Sequence, residues 1–139
     1  MILESDREIA ALLQSIQTVA VLGIKLEPSQ AAYYVPAYCK EAGLTVIPVP
    51  VYYPDVTEIL GERVYRTLAA IPGPVDLVNV FRRAADIPTH VEDILAKRPR
   101  AVWLQLGIRH DAVARRLSDE GIDVVQDRCL MVDLRRHRR

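Results

Sequence analysis

Two periodicities alternate along this chain, and the shorter one marks its organising stretch. Residues 18–23, Thr-Val-Ala-Val-Leu-Gly, form an almost unbroken apolar run that stops at Gly23. Such a run reads as a strand buried on both faces, as in a parallel sheet. Residues 24–30 are a polar loop, and 31–43 read as a helix stopped by Gly43. Pro36 falls inside that stretch; a helix starting around Tyr33 would place it in the first turn, where its missing donor is harmless. A second apolar run over 44–49 completes a strand-helix-strand unit of the length a parallel crossover requires.

The same reading extends in both directions. Upstream, Ser5-Asp6-Arg7-Glu8 is a capping-box sequence, and Ile9, Leu12, Leu13 and Ile16 share one helical face. Downstream, residues 50–74 carry prolines, glycines and tyrosines and read as a long ordered loop, with at most a helical turn near 56–60 and another near 67–70. The third strand spans 74–81. A helix over 88–97 starts near Asp86 with Val91, Ile94 and Leu95 inward. The fourth strand spans 101–106 and turns through 107–111. A helix over 112–120, with Val113, Ala114 and Leu117 inward, stops at Gly121, and the fifth strand spans 122–125.

Strands alternating with helices predict an α/β fold: a doubly wound, parallel, five-stranded Rossmann-like sheet with an extra N-terminal helix. The expected strand order is 3-2-1-4-5. That order would set the first strand, ending at Gly23, beside the fourth, ending at Gly107, with a ligand crevice between them. One domain is expected over 1–139, with its core at 18–130 and a basic tail at 135–139 that reads as a solvated end.

Composition narrows the function. Half of the 139 residues are apolar and the formal net charge is zero, which gives no global pull toward nucleic acid or membrane. No apolar stretch approaches a membrane span, and the amino end lacks a basic region followed by a hydrophobic one, so a cytoplasmic protein is expected. Cys39 and Cys129 have neither the spacing of a zinc site nor that of a disulfide framework. The three histidines, His90, His110 and His137, lie on separate segments with no recognisable nucleophile sequence. Cys129, beside Arg128, is the best nucleophile candidate, although a lone cysteine is more often a small buried residue. A phosphate-bearing cofactor needs close backbone approach at a strand end and amides at a helix start. Gly23 meets the first need, and Ser29 is a candidate cap for the helix behind it. The full G-x-G-x-x-G is absent, because Lys25 and Pro28 stand where it has glycines. No acidic residue closes the second strand to hold a ribose, so a standard dehydrogenase is not expected.

Five blocks taken together resemble one family. They are Val19-Ala20-Val21-Leu22-Gly23, the run from Ala42 to Val49, Asp76-Leu77-Val78-Asn79-Val80-Phe81-Arg82-Arg83, Val102-Trp103-Leu104-Gln105-Leu106-Gly107-Ile108, and the run from Gly121 to Cys129. In order and spacing they are similar to the small stand-alone CoA-binding proteins, and through them to the CoA-binding amino-terminal domain of the succinyl-CoA synthetase alpha subunit. The resemblance implies a site for coenzyme A made of Gly23, Ile24 and Lys25, of Val49, of Val80, Phe81 and Arg82, and of Gln105, Leu106 and Gly107. Where members of the family carry serines after the turn glycine and near the following helix start, this chain has Lys25 and Ala32; where they have Asn-Pro after the second strand, it has Pro50-Val51.

Among cations for the phosphates of CoA, Lys25 is the first candidate and Arg82 and Arg109 the next. Arg82 has an equal alternative in a salt bridge with Asp86, and Phe81 in plain core. The implied function is binding of coenzyme A or an acyl-CoA, as a carrier, sensor or accessory protein without catalysis of its own. Two rival readings stand beside it: an NAD(H)- or nucleotide-sensing module, and a ligand-free interaction subunit of an acyl-CoA synthetase. Nucleic acid and membrane are not expected partners; a homodimer is an open expectation.

Overall fold

A computed structural model describes residues 1–138. In chain order the elements are α1 (Asp6–Ser15), β1 (Thr18–Leu22), α2 (Ala31–Glu41), β2 (Thr45–Val49), β3 (Glu58–Ile59), β4 (Glu62–Arg63), β5 (Leu77–Val80), a 3-10 helix (Ala84–His90), α3 (Val91–Lys97), β6 (Ala101–Leu104), α4 (Asp111–Asp119), β7 (Asp123–Val125) and α5 (Leu130–His137). The capping box at Ser5 and Glu8 is formed and starts α1.

Side chains along each strand alternate between two cores, as the pleat requires. Val19 and Val21 of β1 face α1, α2 and α5, joining Leu13, Val35, Leu130 and Trp103. Ala20 and Leu22 face the opposite layer, where Val91 and Ile94 of α3 and Val113 and Leu117 of α4 pack. Burial of this apolar surface on both faces, at roughly 25 cal/mol per Å2, is the main force holding the layers together.

All five main strands are parallel, in the order β2-β1-β5-β6-β7. Counting main strands only, this is 2-1-3-4-5, not the expected 3-2-1-4-5. The residues explain the difference. All four residues of β5 are buried, as befits an interior strand. β2 contains Pro48, which has no N–H for a ladder, and it pairs only with β1 at the sheet edge. The crevice therefore opens where β1 meets β5, with β6 one strand further on.

Two further expectations change. The segment between β2 and β5 contains an antiparallel hairpin, β3–β4, where a helical turn over 56–60 was expected. Lys40 of α2 clasps it, bonding the Leu60 carbonyl and pairing with Glu62 at 3.3 Å. The turn near 67–70 is present, with the Ala70 N–H donating to Thr67 Oγ1 and the amides of Leu68 and Ala69 bound by Asp93. The basic end is helical through most of its described residues, with Arg135 and Arg136 exposed and Arg138 tied back to the body. Leu130 and Leu134 bury one face of α5, and Arg138 donates to the carbonyls of Leu13 and Ile16 at 3.2 and 2.6 Å. Arg128 grips the buried Asp133 through two bonds of 2.9 Å. Arg139 lies outside the described residues.

Candidate functional site

The turn after β1 is built by exclusion. Gly23 has φ +88, and a Cβ there would stand 2.4 Å from the Phe81 carbonyl oxygen and 3.2 Å from Arg82 Cδ. Both its conformation and the path of the chain leaving β5 thus demand glycine. The Gly23 N–H donates to the Val49 carbonyl at 2.9 Å, and the Phe81 N–H to that of Leu22 at 2.9 Å, so β2, β1 and β5 are stitched together at their carboxyl ends. Ile24 turns back into the core.

Lys25 is fixed by an irregularity in α2. The helix begins at Ala31, so Pro36 lies in its interior and not in its first turn. Proline cannot donate to the carbonyl four residues back, and that carbonyl, of Ala32, accepts the Lys25 N–H at 3.1 Å instead. The defect in the helix becomes the anchor of the loop. At the start of α2 the N-cap residue Gln30 supplies no side-chain bond, no acidic residue occupies the first turn, and Ser29 bonds Glu27. The helix start is left available to an external anion.

The wall from β6 is set by Gln105. This buried side chain accepts through Oε1 from Asn79 Nδ2 and from the Leu130 N–H, both at 3.3 Å. Its carbonyl accepts from the Ile108 N–H and closes a tight turn. Gly107, at φ +84, has open space around its Cα, so conformation alone requires it. Its N–H donates to Asp127 Oδ1 at 2.7 Å, and Asp127 itself sits at φ +56. Leu106 is thereby pushed outward, 64% exposed.

These walls enclose an open cleft of about 480 Å3. Lys25, Ala31 and Ala32 form one side, Phe81, Arg82, Arg83 and Ala84 the second, and Gln105, Leu106, Gly107 and Ile108 the third. Of the residues implied by resemblance, Lys25, Phe81, Arg82, Gln105, Leu106 and Gly107 line it. Gly23, Ile24, Val49 and Val80 do not; the last three are buried behind it. Arg109 is turned away. It pairs with Asp111 at 3.1 Å and borders a separate hollow with Ile2, Leu3 and Gln126.

The cleft's charge is one-sided. Lys25, Arg82 and Arg83 line it. Asp86 is the carboxylate that answers the arginines, at 2.9 Å from Arg83 Nε and 3.8 Å from Arg82 Nη2. The Lys25 ammonium makes no hydrogen bond or ion pair among the described residues. Arg82 is bound further by His90 and Tyr52. Sequence reasoning missed Arg83 and these two partners; it named the start of α2 but expected Ser29 to cap it, where the N-cap is Gln30 without a side-chain bond.

Three groups that bear on covalent chemistry, His110, Arg128 and Cys39, are held in structural roles. His110 caps α4 through its Nδ1, which accepts the Val113 N–H at 3.1 Å. Arg128 directs its guanidinium to Asp133 and Asp6. Burial, then the neighbouring Cys129, pushes the Cys39 thiol up to about 12. Iodoacetamide is expected to leave Cys39 unmodified in the folded protein and to alkylate it after denaturation, as read by peptide mass spectrometry; ready labelling of the native chain would contradict this packing. Among the described residues, no group of three or more His, Cys, Asp or Glu is gathered to hold a metal, and no helix is long and apolar enough to cross a membrane.

A Rossmann-like sheet with a cationic cleft at the carboxyl ends of its strands defines a class of ligand-binding α/β domain. Within that class, the chain belongs to the CoA binding domain family, whose model matches residues 17–135. It is 33% identical over 128 residues to the uncharacterized protein YneT of Bacillus subtilis, covering 92% of this chain and 93% of that one. The solved structure of cell-free ID.343 from Thermus thermophilus shares 42% identity at a TM-score of 0.88, with 96% and 98% of the two chains covered. A dinucleotide-forming acetyl-coenzyme A synthetase 1 from Ca. Korarchaeum cryptofilum shows a likeness of fold, at 17% identity and a TM-score of 0.67. There the match covers 78% of this chain and 25% of that one.

Proposed function

We propose that this protein binds coenzyme A or an acyl-CoA in the cleft between the ends of β1, β5 and β6. Its role would be that of a cytoplasmic carrier, sensor or accessory protein without catalysis of its own. One observation carries the reading: a helix start without a side-chain cap, a lysine with no partner among the described residues and an oriented arginine border the same open cleft as the apolar surface of Phe81, Leu106 and Ile108. CoA has matching parts. Its phosphates suit the amides of α2, Lys25 and Arg82, and its pantetheine arm suits the apolar wall. Gln105 is committed through its carbonyl oxygen, which leaves its side-chain amide as the donor for a ligand carbonyl. Of the two departures, Lys25 replaces a hydroxyl contact with a full charge, and Ala32 leaves only the backbone amide of the helix start.

Native mass spectrometry of freshly purified protein tests the reading. A mass increment equal to CoA or an acyl-CoA, lost in the Lys25→Glu variant, supports it. A retained nicotinamide dinucleotide would favour the redox-sensing alternative.

A further inference from the structure

Arg82 is the cleft cation with the most elaborate support. Its side chain is only 14% exposed, and its Cδ lies against the Gly23 turn. Its Nε–H donates to His90 Nε2 at 3.2 Å across the start of α3, Nη2 faces Asp86 Oδ2 at 3.8 Å, and Nη1 meets the Tyr52 hydroxyl at 3.5 Å. The guanidinium also lies over the Tyr52 ring, 5.8 Å from its centre. Tyr52 is held in turn: Arg66 binds its carbonyl, with those of Tyr53 and Val56, at 3.1, 2.7 and 2.7 Å. A flexible arginine forfeits side-chain entropy when it fixes an anion; one already held forfeits less.

We propose that His90 is a positioning residue: as a neutral acceptor it holds Arg82 across the β1–β5 crevice, preset to receive a phosphate or carboxylate oxygen of the ligand. This rests on the CoA reading of the cleft. A histidine accepting at Nε2 must carry its proton on Nδ1, because each nitrogen's state follows from the bond made by the other. Burial first, and Arg82 second, hold the His90 pKa below its usual range, opposed by Asp93 of α3 and Asp86 of the 3-10 helix. The imidazole is therefore neutral at pH 7 and free to accept.

Nitrogen-15 NMR of the ligand-free protein and CoA titration of a double-mutant cycle test this together. The wild type is expected to show His90 protonated at Nδ1 and bare at Nε2; Arg82→Ala should move it toward the Nε2–H form and raise its pKa. His90→Leu should raise the CoA Kd about 3- to 10-fold, while His90→Gln, which restores an acceptor, should raise it less than about 2-fold. In an Arg82→Ala background, His90→Leu should change Kd no further. A wild-type protein that binds CoA while its His90 signals ignore Arg82→Ala, or whose two substitutions act additively, overturns the proposal alone. A wild-type protein that takes up no CoA overturns both this role and the reading of the cleft.

Discussion

Gly23→Ala is expected to lower stability more than any other single methyl addition at the site. The new Cβ would lie 2.4 Å from the Phe81 carbonyl oxygen, which is backbone and has nowhere to yield. The φ of +88 is itself unfavourable for an L side chain, by about 1–2 kcal/mol. Relief requires β1 and β5 to part at their carboxyl ends, which breaks the bond from Phe81 N–H to the Leu22 carbonyl. A total loss of about 2–4 kcal/mol is expected, a fall in Tm on the order of 10 °C. Differential scanning calorimetry checks this. An unchanged Tm would mean that the turn does not pass beneath Phe81 as described. CoA binding should fall with it, because the displaced Phe81 and Arg82 line the cleft.

Lys25→Glu is expected to abolish most binding while leaving the fold intact. Its backbone N–H, not its side chain, makes the bond to Ala32, so thermal stability should stay within about 0.5 kcal/mol of the parent. Losing one charge-assisted contact to a phosphate costs about 1.5–3 kcal/mol, and placing a carboxylate beside that phosphate adds repulsion. CoA affinity should therefore drop at least about tenfold. Raising the salt concentration should weaken the parent's binding and narrow the difference. An unchanged affinity would remove Lys25 from the site.

How far the sequence reveals this architecture depends on whether the information is local. The strand at 18–22, the capping box at Ser5 and the helices at 31–41 and 111–119 follow from neighbouring residues, and they are read correctly to within a residue or two. Strand order is not local, yet one residue bears on it: Pro48 marks β2 as an edge strand, which the order 3-2-1-4-5 would have placed inside. The hairpin at 58–63 has two-residue strands, too short to show any alternation. In α5, only Leu130 and Leu134 outline an apolar stripe beneath a cluster of arginines, so the cluster dominated the reading.

The site shows the same division. Lys25 and Gln105 stand at strand ends and line the cleft, Lys25 read from its place in the first turn and Gln105 implied by the resemblance, whereas Gly23 shapes the turn without lining the cleft. Arg109 also follows a strand end, but the chain has turned by then and carries it to another face. Tyr52 and His90 were invisible as site residues because they reach the cleft only through Arg82, 30 and 8 residues away along the chain. Recognising them needs β5 beside β1, the neighbour relation that the expected order had wrong.

The most direct test of the central claim is isothermal titration of the purified protein with CoA, and with NADH in parallel. A saturable CoA isotherm near one equivalent per chain, tighter than that for NADH and weakened by Lys25→Glu, is the expected result. No measurable CoA uptake at millimolar concentration, or preferential binding of NADH, would contradict the account.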